Sequence, residues 1–81
     1  MNMTNLEKYN QIFAEVFGVD LSQLGADFSS QNVDGWDSVR QLSLTASMED
    51  AFDIMLDAED IIDFNSYENG KAILAKYEIE L

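Results

Sequence analysis

The sequence contains no cysteine, no histidine and no proline among its 81 residues. Without cysteine the chain can form neither a disulfide nor a thiolate metal site. Without histidine it cannot pair a serine or cysteine nucleophile with an imidazole base. Paired carboxylates can still act as acid and base, but a chain this short has little room for a closed substrate pocket of ordinary size. The composition therefore favours a protein without catalytic activity of its own.

Basic residues are scarce as well. Only 4 Lys and Arg accompany 16 Asp and Glu, so the formal net charge is -12. Such a charge repels nucleic acid and anionic membranes and attracts basic protein surfaces. No apolar run is long enough to cross a bilayer, and residues 1–6 lack the basic and apolar segments of a signal peptide. We expect one cytoplasmic domain over residues 1–81, with neither membrane insertion nor nucleic-acid binding.

The sequence does contain strong helical signals, the first of them at its beginning. Thr4 and Glu7 have the spacing of a capping box. Apolar residues follow at helical spacing, namely Leu6, Tyr9, Ile12, Phe13, Val16 and Phe17. Gly18 is a typical residue for ending such a helix. These signals predict a first helix of three to four turns that packs one face into a core.

Residues 19–36 mix isolated apolar residues with Ser, Asp, Asn and Gly, and they predict a long loop. One short helical turn is expected near Leu21 to Leu24. The loop should pack over the core through Leu21, Leu24 and Phe28. Loops of this length are uncommon in small domains and are often functional.

A second helix is predicted to begin at Asp37 or Ser38, either of which can act as its cap, and to run to about Phe52. At about 100° per residue, two faces separate. The expected core face carries Leu44, Met48, Ala51, Phe52 and Met55. The opposite face is apolar at first and then acidic, with Val39, Leu42 and Ala46 followed by Glu49, Asp50 and Asp53.

Two further helices complete the prediction. Asp57 can cap a short third helix from Ala58 to about Asp63, anchored by Ile61 and Ile62, and Ser66 can cap a fourth that continues through Tyr77. Gly70 lies inside the fourth helix at a cost of about 1 kcal/mol relative to alanine. Close packing against a neighbour is the one reason we can give for this glycine. The expected fold is all-α, a small bundle with three longer helices, a short third helix and a long first loop.

The most informative segment is Gly35-Trp36-Asp37-Ser38-Val39, which places a serine hydroxyl at the start of a helix. The positive end of a helix dipole tolerates a phosphodiester there. By itself, however, the segment is better explained by a simple helix cap, because Asp-Ser is common at helix starts. Downstream stands the run Met48-Glu49-Asp50-Ala51-Phe52-Asp53-Ile54. Together with length, acidity and helix order, the two segments resemble the acyl carrier protein family over nearly the whole chain.

This resemblance implies a four-helix bundle of acyl-carrier type in which Ser38 bears a phosphopantetheine arm transferred from coenzyme A. Asp37 would belong to the attachment motif that the phosphopantetheinyl transferase recognises. The terminal thiol of the arm would hold an acyl group as a thioester, which would give a chain without cysteine a part in thiol chemistry. Val39, Leu42 and Ala46 would form an apolar contact patch for partner enzymes. Carriers of this kind usually act as monomers.

The acids between residues 49 and 63 form the second expected partner surface. This stretch contains no base and seven acids, namely Glu49, Asp50, Asp53, Asp57, Glu59, Asp60 and Asp63. A basic docking surface on a loading ligase or a downstream transferase would be attracted to them, in a contact that is sensitive to salt and exchanges quickly. A calcium loop is not expected there, because the EF-hand pattern counted from Asp57 places Ile61 and Ile62 where a ligand and a glycine are required.

Several residues depart from the family pattern. Val39 stands where leucine is usual, and Arg40 stands where carriers of fatty acid synthesis usually have an acid. Gln41, Ser43, Thr45 and Ser47 leave the first half of the helix without negative charge. We therefore expect a dedicated carrier of a specialised biosynthetic pathway. Two alternatives remain: an aminoacyl, peptidyl or D-alanyl carrier, and an acidic protein-interaction module without a prosthetic group.

Overall fold

The computed structural model describes residues 3–81. Along the chain it contains α1 (Asn5–Phe17), a single 3-10 turn (Leu21–Gln23), α2 (Ser38–Phe52), α3 (Ala58–Asp63) and α4 (Tyr67–Lys76). These residues form a compact all-α domain of four helices, and no strand occurs among them. The predicted helix order is confirmed, including the short third helix and the long connection before α2.

Local capping signals set most helix boundaries. The Glu7 backbone N–H donates to the Thr4 hydroxyl and the Thr4 backbone N–H donates to the Glu7 carboxylate, each at 3.1 Å. Gly18 ends α1 in the left-handed conformation, with φ 64°, which glycine adopts without steric cost. Ser66 caps α4 by accepting the Asn69 backbone N–H at 2.9 Å. These three predicted caps are confirmed, because each depends on residues close together in the chain. Asp57, also predicted as a cap, occupies the position before α3, but its side chain makes no capping hydrogen bond.

The core is built around the ring of Phe13, which is fully buried. Six aromatic rings surround it with centroid separations between 5.0 Å for Tyr9 and 6.4 Å for Phe64. The other four belong to Phe17, Phe28, Trp36 and Tyr67. Aromatic pairs at such distances contribute about 0.5–1.5 kcal/mol beyond the area they bury. The long loop thus supplies Phe28 and Trp36 to a cluster that otherwise comes from α1, α4 and the segment before α4.

Gly70 marks the closest approach of α4 to this core. A Cβ atom at this position would lie 2.2 Å from the Tyr9 hydroxyl oxygen and 2.6 Å from the Phe64 ring. Real Cβ atoms do not approach other heavy atoms so closely, so alanine would force the helix or the rings apart. The expectation that Gly70 serves close packing is confirmed.

Five predicted core residues are exposed instead, the first of them Leu6, which is 37% exposed. Leu21 is 56% exposed, Met55 is 84% exposed, Ile62 is 69% exposed, and Ala51 also faces solvent. Extending the α2 register predicts that Met55 lies in the core, but the left-handed Asp53 (φ 53°) ends that register. In α3, Ile61 turns partly inward, and the next residue, Ile62, therefore points outward.

Candidate functional site

Asp37 and Ser38 have different positions at the start of α2. The Asp37 carboxylate is the helix cap, since it accepts the Arg40 backbone N–H at 2.8 Å. Ser38 is the first helical residue, and it is exposed. The hydroxyl of Ser38 is therefore not needed as the cap, and it lies at the positive end of a helix of 15 residues.

Arg40 ties this helix start to α1. Its guanidinium Nη1 donates to the Val16 carbonyl oxygen at 3.1 Å. Val16 lies in the last turn of α1, where backbone carbonyls lack helical partners and carry partial negative charge. Arg40 therefore helps to fix where Ser38 lies relative to α1.

The long loop before α2 is anchored at its middle. The Ser30 backbone N–H donates to the Asn65 carbonyl at 2.9 Å, and the Tyr67 backbone N–H donates to the Phe28 carbonyl at 2.8 Å. These two bonds flank an isolated antiparallel bridge between Ser29 and Ser66. They bring the loop beside the connection between α3 and α4, on the side where Ser38 lies.

Gln41 is the functional candidate that the sequence analysis missed. Its amide oxygen accepts the Trp36 indole N–H at 3.2 Å, while its amide nitrogen donates to the carbonyl oxygens of Ile61 at 2.9 Å and Ile62 at 2.8 Å. Both amide hydrogens and the amide oxygen are thus used. A neutral residue on a polar stretch of α2 gave no sign of this role, because its partners lie in other elements.

An open groove lies beside Ser38, between α2 and α3. Its volume is about 430 Å³, and its lining combines polar and apolar side chains. The lining residues are Ser30, Ser38, Gln41, Leu42, Ile61, Ile62 and Asn65. The groove is shallow and solvent-open, so it can support a flexible attached group without enclosing it.

The predicted apolar patch is present on the same side of α2. Val39 is 75% exposed, Leu42 is 59% exposed, and Ala46 is exposed one turn further on. A second shallow depression continues past Ala46, where Glu49, Asp50, Ile54 and Met55 line it. The exposed Met55 therefore extends the apolar patch into the acidic region.

The predicted acidic residues do not all face solvent in the same way. Five of the seven are exposed, namely Asp50, Asp53, Asp57, Glu59 and Asp63. Glu49 is half-buried, and its carboxylate accepts the Leu56 backbone N–H at 2.9 Å. Glu49 therefore fixes the turn that follows α2, while the five exposed acids form the negative surface around α3.

Asp60 does not belong to that exposed surface, in contrast to the expectation. It is buried between α3 and the end of α4. Its carboxylate accepts the Lys76 ammonium at 2.5 Å and the Tyr77 hydroxyl at 2.6 Å. These two bonds hold the pKa of Asp60 below its ordinary value and raise the pKa values of Lys76 and Tyr77. Asp60 therefore links α3 to the end of α4.

No family model and no curated protein matches this sequence. Within residues 3–81, no helix is both long enough and apolar enough to cross a membrane. The same stretch holds no group of three or more Asp and Glu side chains arranged to bind a metal ion. A function for this chain must therefore be inferred from the geometry around Ser38 and Gln41.

Proposed function

We propose that this chain is an acyl-carrier-type protein that bears a phosphopantetheine arm on Ser38. The observation that carries the proposal is the exposed Ser38 hydroxyl, which begins α2 beside an open groove while the neighbouring Asp37 supplies the cap. A serine serving only as a cap would occupy the position of Asp37. The attached arm would supply a terminal thiol that holds an acyl group as a thioester.

The surroundings of Ser38 fit a phosphodiester. The first backbone N–H groups of α2 point toward this end of the helix, and the helix dipole favours negative charge there. In the attachment, the Ser38 oxygen would bond to the phosphorus next to pantetheine in coenzyme A. The pyrophosphate bond would break, adenosine bisphosphate would leave, and the transferase would take the hydroxyl proton. An exposed helix start gives a transferase room to approach.

The surface around Ser38 supports contact with several partners in turn. Val39, Leu42 and Ala46 give an apolar patch, and exposed acids such as Asp50 and Glu59 lie further along α2 and α3. A transferase, a loading ligase or a downstream acyltransferase with a basic docking surface would be steered to this side. The uncharged residues Ser43 and Ser47 on α2 support a dedicated set of partners in a specialised pathway.

The experiment is intact-mass measurement after incubation with coenzyme A, magnesium and a broad-specificity phosphopantetheinyl transferase. We expect a gain of one phosphopantetheine in the parent protein and in Ser43→Ala, a matched change of an exposed serine on the same helix. Ser38→Ala should gain nothing although it folds. A folded parent protein that gains no mass with several transferases would overturn the proposal, and it would favour the acidic interaction module.

A further inference from the structure

Gln41 lies at the floor of the groove, one helical turn after Ser38. Its three hydrogen bonds reach Trp36 on one side and the carbonyls of Ile61 and Ile62 on the other. These bonds join α2 to the end of α3 along the line where the two helices meet, which we term the α2–α3 seam. An apolar chain that left the groove for the core would have to separate the groups that Gln41 holds together.

The space behind Gln41 is occupied by packed rings. Trp36 is buried, and its ring centroid lies 4.7 Å from that of Phe17, 5.9 Å from that of Phe28 and 6.0 Å from that of Phe13. The next turn of α2 places the buried Thr45 below Gln41, with its hydroxyl bonded to the Gln41 carbonyl at 3.1 Å. Entry through the seam would therefore break hydrogen bonds and displace well-packed aromatic side chains.

We infer that Gln41 is a specificity-determining residue that keeps the α2–α3 seam closed, so that an acyl group carried on Ser38 stays in the outer groove. The inference rests on the proposed function. The groove offers Leu42 and Ile62 as apolar contacts and Ser30 and Asn65 as polar ones. Such a lining accommodates short or polar acyl groups, while a long alkyl chain would extend past it into solvent.

The chain offers a direct test, because it contains no cysteine and a single tryptophan. Ser38→Cys introduces one thiol, which reacts with alkyl methanethiosulfonates to form a disulfide and release methanesulfinate. Butyl, octyl and dodecyl chains with a bromine on the last carbon would be attached, with unbrominated chains as the reference. Bromine quenches tryptophan emission at near contact, so loss of Trp36 emission reports a chain end that has entered the core.

With Gln41 present, we expect the brominated and unbrominated chains to give the same Trp36 emission at every length. Adding Gln41→Ala to Ser38→Cys removes all three hydrogen bonds of the Gln41 side chain, which should raise the population of the open seam about tenfold or more. The brominated octyl and dodecyl chains should then quench Trp36. Gln41→Glu keeps an acceptor for Trp36 but loses both donors to α3, and it should give the same result if the alanine variant fails to fold.

Ser43→Ala, an exposed change two residues further along α2, is the matched control and should leave the emission unquenched. Strong quenching by the dodecyl chain while Gln41 is intact would overturn the inference, as would absence of quenching in both folded Gln41 variants. The mass assay separates the two proposals. If the dodecyl chain quenches Trp36 in the Ser38→Cys protein while the parent protein gains the mass of one phosphopantetheine, only the closed seam is refuted. A missing mass gain would refute the carrier, and the assignment of cargo with it.

Discussion

Two adjacent side chains at the start of α2 carry different tasks. The Asp37 carboxylate satisfies the Arg40 backbone N–H, a donor that no earlier turn of the helix can satisfy. Ser38 is exposed and follows the cap. Because Asp37 supplies the cap, replacing Ser38 should leave α2 and the fold intact.

Substitutions at the two positions should therefore differ in their effect on stability. Asp37→Ala should lower the free energy of unfolding by about 1 kcal/mol, the usual cost of a lost cap. Ser38→Ala should change it by less than about 0.5 kcal/mol, as for most exposed positions. Urea unfolding followed by far-ultraviolet circular dichroism measures both, with Ser66→Ala as the reference for a lost cap on α4. A loss above about 2 kcal/mol for Ser38→Ala would show that Ser38 is mainly structural.

The third helix is the element that depends most on its neighbours. With 6 residues, α3 is far too short to be stable by itself. At the end of α3, the Gln41 amide donates to the carbonyls of Ile61 and Ile62. At the start of α3, the Tyr77 hydroxyl accepts the Asp57 backbone N–H at 3.0 Å. The same hydroxyl donates to Asp60. The wall that α3 gives to the groove beside Ser38 is thus fixed from α2 and from the end of α4.

The hydrogen bonds of Asp60 predict that the stability of the fold depends on pH. Because the folded pKa of Asp60 lies below its ordinary value of 3.8, its carboxylate stabilises the fold above that value, and the effect disappears as the pH falls through the folded pKa. Asp60→Asn should therefore lower the free energy of unfolding most at neutral pH, and its effect should become smaller below about pH 4. Urea midpoints across this range measure the difference. Asp50→Asn, at an exposed position on α2, controls for removal of one negative charge; a loss in Asp60→Asn that stays constant into strong acid would contradict the prediction.

For the whole molecule the dominant feature is unbalanced charge. The net charge of -12 is carried by a body whose extents are 31 × 29 × 19 Å. At an ionic strength of about 0.01 M the screening length is about 30 Å, so charges on opposite sides repel one another. That repulsion disfavours the compact state.

Sodium chloride should therefore raise the melting temperature. Between about 0.01 M and about 1 M salt the screening length falls from about 30 Å to about 3 Å, which removes most of the repulsion. Thermal melts followed by circular dichroism measure the rise. In a variant with Asp50→Asn and Asp63→Asn, the melting temperature should rise less with added salt, because the net negative charge is smaller. A melting temperature that falls or stays level with added salt would show that self-repulsion does not limit stability.

The sequence by itself determined the helices and most of their caps. Thr4 with Glu7, Gly18 and Ser66 act through backbone groups within a few residues, so their patterns could be read directly. The choice between Asp37 and Ser38 as the cap of α2 was decided by the structure. The position of the serine at the start of α2 followed from the same local rules. The exposed face of α2 also followed, because helical periodicity separates Val39 and Leu42 from the core side.

Only the tertiary structure decided which side chains become exposed, buried or bonded across elements. Met55 and Ile62 are apolar yet exposed, whereas Asp60 is charged yet buried against Lys76 and Tyr77. Gln41 reads as an ordinary polar residue, and its role depends on carbonyl groups 20 and 21 residues away. Burial and hydrogen bonding of this kind depend on how helices pack, which no pattern within one helix specifies. The serine could therefore be found from the sequence, but the groove and the seam beside it could not.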